Sequence, residues 1–461
     1  LSQSNNYISI NPFTGEKINE IAVWNEHEIK NSLINSYDAY QSWRKTDLQF
    51  RKIFLEKLSG YLKDNKELFA ATMTAEMGKP IVQSRAEVVK SASLCDYYHE
   101  QLESLQEDRI IQLGEKKYGI IKSQSQGAVL CVMPWNFPLW QVIRCAVPVI
   151  SGGNVVLLKH AQNVGLTALL IEKAIKEAAG SDHILMSTFV SHDDAGLILQ
   201  DAHVIGTSLT GSEKAGVSIG KLAGANIKKS VMELGGSDAF VVMKDADFNR
   251  SVKNAVKGRL NNNGQTCIAA KRFFIQDDIY QDWVEAFTEE MKKQRVGDPL
   301  NENTDVSGLA RNDLAETLSK QVRSSVNLGA KKTLSGGIDG KNDSIYHPEV
   351  LIDIPVNSAL ENEETFGPVA SIFKFKEEAQ MLSMVNNSRF GLGASIWSND
   401  TENAIRLAES IESGSVAVNQ MMSSDPRLPF GGIKKSGFGR EMSREGYFEF
   451  LNLKTIIVGN E

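Results

Sequence analysis

Cysteine is scarce. The four in 461 residues, Cys95, Cys131, Cys145 and Cys267, stand far apart, with no C-x-x-C pair and no adjacent histidine. That pattern excludes a disulfide framework and gives no sign of a metal site. It fits a reducing cytoplasm, the expected location. Excess positive charge is also missing. Fifty basic against 57 acidic residues leave a net charge of -7, and no Lys/Arg cluster offsets it, so nucleic acid is not an expected partner. There is no long apolar run. The longest charge-free stretch, residues 123–143, is broken by Pro134, Asn136, Pro138 and several glutamines, which argues against a membrane span. The opening LSQSNNYISI lacks a basic segment followed by an apolar one, so no signal peptide is visible. Repeats, low-complexity tracts and long Pro/Gly/Ser linkers are absent too. A soluble protein of two or three domains is expected from the length.

What is present is an alternation of short apolar runs and helical patterns. Residues 28–105 carry apolar positions at helical spacing and read as amphipathic helices. From Gly127 onward buried strands follow: GAVLCVM, NVVLLK (154–159), MSTFV (186–190) and VIGTSL (204–209). Helices are expected over 139–150, 165–179 and 212–224, with a short one before residue 204. After MELGG the alternation restarts with AFVVM, a helix near 247–259, RFFIQ and a helix over 279–296. All-apolar strands separated by helices predict parallel sheets covered on both faces, hence an α/β fold with two α/β domains. Two segments fit neither sheet. Residues 116–124 and 448–459 read as exposed strands, and unpaired edges predict pairing with another subunit.

Four positions stand out chemically. Cys267 follows NNNGQT, a turn or helix start, where backbone N–H groups and a positive helix end would favour the thiolate. The other three cysteines lie inside helical or strand patterns and read as small buried hydrophobes. Glu233 ends an apolar strand and precedes two glycines, the place where α/β sheets put their sites; burial there would raise its pKa toward that of a general base. A solvated strand-end carboxylate is the plainer reading. Asn136, between two prolines, is held where an amide can donate to an oxyanion, or is an ordinary turn residue. Gly211 and Gly216, in LTGSEKAG, lie where a strand turns into a helix and suit a pyrophosphate at the helix N-terminus. They form neither a G-x-G-x-x-G nor a P-loop.

Taken together, these pieces resemble the aldehyde dehydrogenase superfamily over nearly the whole chain. The matching segments, in that family's order, are NPFTGE (11–16), PWNFP (134–138), GNVVLLK (153–159), LTGS (209–212), MELGG (232–236), GQTC (264–267), EETFGPV (363–369) and PFGGIKKSGFGRE (429–441). The resemblance implies an NAD- or NADP-binding domain (1–107 and 125–234), a catalytic domain (235–435) and an oligomerisation element (108–124 and 436–461) that makes a homodimer or homotetramer. It implies that Cys267 attacks the aldehyde, that Asn136 and the Cys267 N–H hold the oxyanion, and that Glu233 activates water against the thioester. It also implies that Trp135, Lys159, Gln162, Gly211, Ser212, Leu234, Glu364 and Phe366 surround the cofactor. No metal is expected.

Arg144, eight residues after Asn136, is similar to the Arg by which the succinate-semialdehyde branch holds its substrate's distal carboxylate; a structural salt bridge is the other reading. That branch often has a second Arg six residues before the cysteine. Asn261 stands there, and Arg427 is a candidate replacement. Gln162 replaces the Glu of many NAD-preferring relatives and removes a carboxylate that would repel a 2′-phosphate, so NADP is expected to be tolerated. Ala269 removes the second cysteine of that branch's redox switch. Succinate semialdehyde is the expected substrate, a broader aliphatic or aromatic aldehyde the alternative, and a catalytically silent scaffold of the same fold the reading from a different class.

Overall fold

A computed structural model describes residues 6–459. The outermost parts of the expected first and last segments, residues 1–5 and 460–461, lie outside them. The stretch read as amphipathic folds into four helices, Glu26–Trp43, Leu48–Asp64, Lys66–Met77 and Ile81–Gln106. Their limits are local. Asn25 and Glu28 form a reciprocal capping box, Asp47 accepts from the Phe50 N–H, and Gly78 ends the third helix at φ 77°.

These helices pack on a six-stranded sheet. Its spatial order is Gly437–Phe438, Lys229–Glu233, Val204–Thr210, Ala128–Met133, Val155–His160 and Leu185–Ser187. All neighbours are parallel except the first pair. The chain leaves Ala128–Met133 toward one edge, then crosses back to place Val204–Thr210 on the other side of it. The strand order reverses between those two, and a crevice opens beyond their carboxyl ends, where open α/β sheets bind ligands.

A seven-stranded sheet follows. It runs Lys331–Leu334, Glu349–Ile352, Val369–Phe375, Ala270–Gln276, Asp238–Val242, Gly393–Trp397 and Ser415–Val418, and is parallel apart from Lys331–Leu334. One face is filled by aromatics. Phe240 stacks on Trp397 at 5.4 Å and Trp283 on Phe287 at 4.9 Å between ring centres. The third sheet is antiparallel, with Lys117–Gln124 between Arg109–Gly114 and Asn452–Gly459.

Several expected boundaries shift. The last strand starts at Asn452 rather than 448, because Ser443–Phe448 is helical and Phe450 and Leu451 are buried in the first core. Residues 437–438 join the first sheet through Glu233 and Met232, so the segment from 436 onward is shared between two sheets. The strand expected over 186–190 covers only Leu185–Ser187, and the helix expected to reach 296 ends at Lys292. The two outlying strands, read as unpaired, pair with each other. Cys131 and Cys145, distant in sequence, meet inside the first domain with their sulfurs 2.7 Å apart.

Candidate active site

Beyond the strand-order reversal lies a cleft of about 870 Å³, walled by residues from both large sheets. Trp135 and Asn136 follow the strand Ala128–Met133, Gln162 follows Val155–His160, Gly211 and Ser212 follow Val204–Thr210, and Leu234 follows Lys229–Glu233. Cys267, Glu364 and Phe366, from segments that adjoin the seven-stranded sheet, close it from the opposite side. Nine of the expected site residues therefore line one cleft, each just past a strand's carboxyl end or on the facing loops. Glu233, Lys159 and Arg144 sit deeper, 2, 3 and 2% exposed. Arg427 is apart from them.

Cys267 is positioned by an uncommon turn. Asn262, Asn263 and Gly264 adopt φ of 56°, 57° and 76°, three left-handed residues in succession. Asparagine and glycine tolerate that region best, which is what NNNG encodes. Asn263 donates to the carbonyls of Gly78 (3.1 Å) and Gly308 (2.8 Å) and accepts from the Ser307 N–H at 2.8 Å. Asn262 takes the Gln83 side chain on its N–H and donates to Asn136 O at 2.6 Å. A Cβ at Gly264 would run into the Gly367 backbone. The chain then turns through Cys267 directly into the strand Ala270–Gln276.

No helix begins at Cys267, so the expected lowering of its pKa by a helix end does not hold. Burial instead pushes the thiol up to about 12, opposed by the Arg144 guanidinium and then the Lys271 ammonium. Lys271, overlooked in the sequence for want of any distinctive context, lies under the turn and donates to Cys267 O at 2.7 Å and Thr266 O at 3.0 Å. The Asn136 amide donates to Gln265 O at 3.0 Å and keeps its second N–H free of partners among the described residues.

Glu233 is buried at its strand's end, and its Oε1 has no hydrogen-bond partner among the described residues. Burial raises its pKa well above the ordinary carboxylate value, the Arg144 charge opposes this, and Glu441 adds to it. The two glycines that follow are required by close approach. A Cβ on Gly236 would lie 2.7 Å from Cys267 O, and one on Gly235 would collide with Glu364 Oε2. Glu364 accepts from the Gly236 N–H at 3.0 Å and lies 3.5 Å from Lys271.

Arg144 has a carboxylate of its own. Its Nε forms an ion pair with Glu441, Nη2 reaches Thr210 Oγ1 at 3.3 Å, and the guanidinium lies 4.8 Å from the Phe430 ring centre. Nη1 has no partner among the described residues. A salt bridge is thus present, as the structural reading expected, with one nitrogen left over. Arg427 departs further from expectation. It is 77% exposed and forks onto Asp425, two residues away, at 2.8 and 2.7 Å. Glu441 was visible only as the end of a resembling segment, and nothing local marked it as Arg144's partner.

Among the residues expected at the cofactor, Ser212 caps the helix Glu213–Ala225, accepting from the Ala215 N–H at 3.2 Å, so that helix's N-terminus faces the cleft. Phe366 meets Trp135 edge-on at 5.7 Å. The Lys159 ammonium, pushed down to about 8 by burial, has no hydrogen-bond or carboxylate partner among the described residues. Arg311, not singled out in the sequence, lies 5.8 Å from the Trp135 ring centre.

Residues 1–456 match the model of the aldehyde dehydrogenase family. This chain belongs to the aldehyde dehydrogenase family. Among its relatives are the succinate semialdehyde dehydrogenase [NAD(P)+] Sad of Escherichia coli, 40% identical over 97% of each chain, and a probable succinate-semialdehyde dehydrogenase [NADP(+)] of Synechocystis, 39% identical over 97% of this chain and 98% of that one. Among solved structures, the succinic semialdehyde dehydrogenase of Streptococcus pyogenes in complex with NADP+ superimposes with a TM-score of 0.96 at 32% identity, covering 98% of this chain and 100% of that one.

The geometry of this aldehyde dehydrogenase predicts two outcomes. Alkylation of Cys267 by iodoacetamide in the cofactor-free enzyme should climb about tenfold per pH unit from pH 7 to 9, the thiolate fraction rising toward a distant pKa; a plateau near pH 7 would contradict it. Asn263→Ala should lose about 3 kcal/mol of stability in urea unfolding, since three buried partners and a left-handed backbone lose their match. An unchanged midpoint would show that the turn is not held this way.

Proposed function

We propose that this aldehyde dehydrogenase oxidises succinate semialdehyde to succinate with NAD or NADP through a covalent thioester on Cys267. The observation that carries the reading is that Cys267 and Asn136 line one cleft while buried Glu233 and Arg144 lie close enough to act electrostatically on Cys267. The relatives named for that substrate support it.

The cofactor fits the residues present. An uncompensated ammonium on Lys159 and the helix N-terminus capped by Ser212 suit its ribose and phosphates, while Trp135, Gly211, Leu234, Glu364 and Phe366 line the remainder. Gln162 on the wall brings no negative charge against a 2′-phosphate. The nicotinamide, when bound, supplies the hydride acceptor.

Cys267 Sγ, its proton released to solvent in the cleft, bonds to the aldehyde carbon as the thiolate. The negative charge passes to the aldehyde oxygen, which the free N–H of the Asn136 amide and the Cys267 N–H stabilise. Once the carbon is oxidised to a thioester, Glu233 takes a proton from water, the water oxygen bonds to the acyl carbon, and the sulfur leaves. A carboxylate whose pKa is raised by burial is a stronger base than an exposed one, which suits that task. Nη1 of Arg144 holds the distal carboxylate. Arg427 enters this site only by releasing Asp425.

Among the described residues no helix is long and apolar enough to cross a membrane. The three-stranded sheet exposes Ile110 (69%), Ile457 (60%) and Leu453 (54%). We infer that a second copy of this chain covers them in a homodimer or homotetramer. The free thiols suit a reducing cytoplasm.

Steady-state kinetics test the reading. Succinate semialdehyde should exceed butanal in kcat/KM by about a hundredfold or more, the scale of one buried charge pair of about 3 kcal/mol. NADP should be used within about a hundredfold of NAD. Butanal preferred over the semialdehyde would leave only a broad-range dehydrogenase. No NAD(P)H with any aldehyde would favour the silent scaffold.

A further inference from the structure

Lys90 lies on the helix Ile81–Gln106 and is half-buried beside the site. Its Nζ donates to Ser424 Oγ at 2.7 Å and sits 4.5 Å from the centre of the Trp140 ring, four residues after Asn136. No carboxylate comes within ion-pair distance of it among the described residues. The neighbouring acids all have other cations. Glu87 is paired with Lys79 and accepts from the N–H groups of Leu139 and Trp140, Asp425 is forked by Arg427, and Glu441 is paired with Arg144. Lys90 is the charge left over.

It is also held beside another cation. Burial first, and the Arg144 charge second, push the Lys90 ammonium down to about 8, opposed by Glu87, Asp425 and the Cys267 thiol. Arg144 and Cys267 act on each other in turn. Trp140 and Arg144 stand one turn apart on the helix Trp140–Ser151. The Lys90 ammonium, hydrogen-bonded among the described residues to Ser424 alone, and Arg144 Nη1, the guanidinium nitrogen not engaged by Glu441 or Thr210, are therefore two cationic groups in the neighbourhood of Cys267. Such a pair can take an anionic guest.

We propose that Lys90 is a specificity-determining residue whose ammonium, with Nη1 of Arg144, receives the distal carboxylate of the aldehyde. The assignment rests on the substrate reading above and supplies the second positive charge that Asn261 does not. Ser424 and the Trp140 ring orient the ammonium, and the aldehyde end extends toward Cys267. An uncharged aldehyde gains nothing from Lys90.

The test is the ratio of kcat/KM for succinate semialdehyde to that for butanal in the full-length enzyme, Lys90→Gln and Lys90→Arg. Lys90→Gln should lower the ratio by at least about tenfold, and Lys90→Arg should restore most of it. A ratio unchanged in Lys90→Gln, whether both rates hold or fall together, overturns the proposal and makes Lys90 a strut for the Ser424 loop. An unsubstituted enzyme that does not favour the semialdehyde overturns the parent reading, and this one with it. A second measurement needs no variant. Succinate should slow trinitrobenzenesulfonate labelling of Lys90 severalfold relative to surface lysines, read by peptide mass spectrometry; equal labelling with and without succinate overturns the proposal.

Discussion

The structure depends on the left-handed turn at Asn262, Asn263 and Gly264. A run of such residues is unfavourable for an isolated chain, by about 1 kcal/mol or more for each non-glycine position. Here it is held from several sides at once, by Gln83, the carbonyls of Gly78 and Gly308, the Ser307 N–H and the Asn136 carbonyl. Gly78 and Gln83 belong to the helices over the first sheet and Asn136 to the loop leaving it, while the turn feeds the central strand of the second. The same bonds that stabilise the turn therefore fix Cys267 against Asn136 where the two large sheets meet, as their proposed roles require. Loss of any one would move Cys267 relative to Asn136.

Electrostatics around the turn follow from burial. Desolvation is the largest influence on Cys267, Glu233 and Lys90, raising the two acids and lowering the amine, and Arg144 modulates all three. Burial thus disfavours the charged form of both the Cys267 thiol and the Glu233 carboxyl. Lys271 and Arg144 lower the cost of forming the thiolate, and a bound substrate that excludes water would strengthen both influences. Arg144 serves two ends, clamping Glu441 with one edge while leaving Nη1 free.

Much of this was legible in the chain. Parallel sheets followed from apolar runs such as NVVLLK and VIGTSL, and the helix over residues 165–179 has the expected bounds because Gly180 ends it at φ 61°. Cys267, Glu233 and Asn136 were legible because polar residues and glycines stand where a core pattern would have continued. Other features depend on contacts between distant segments. The pairing of Arg144 with Glu441, almost 300 positions apart, the Cys131–Cys145 contact and the joining of residues 437–438 to the first sheet have no local signature. The expected helix end at Cys267 failed for a different reason: NNNG reads equally as a cap or as a left-handed turn, and only the surrounding partners decide between them. Lys90 looked like an ordinary charge on an amphipathic helix until its neighbours' carboxylates were seen to be engaged elsewhere.

The proposed reaction carries an acyl group on Cys267 Sγ and releases it by water that Glu233 activates. Its most direct test is to mix Glu233→Gln enzyme with succinate semialdehyde and NADP, quench in acid and map the adduct by peptide mass spectrometry. A succinyl group is expected on the peptide carrying Cys267, accumulating as one NADPH forms per site and turnover stalls. NADPH formed at the normal steady rate with no adduct on Cys267, or an adduct on another residue, would contradict it.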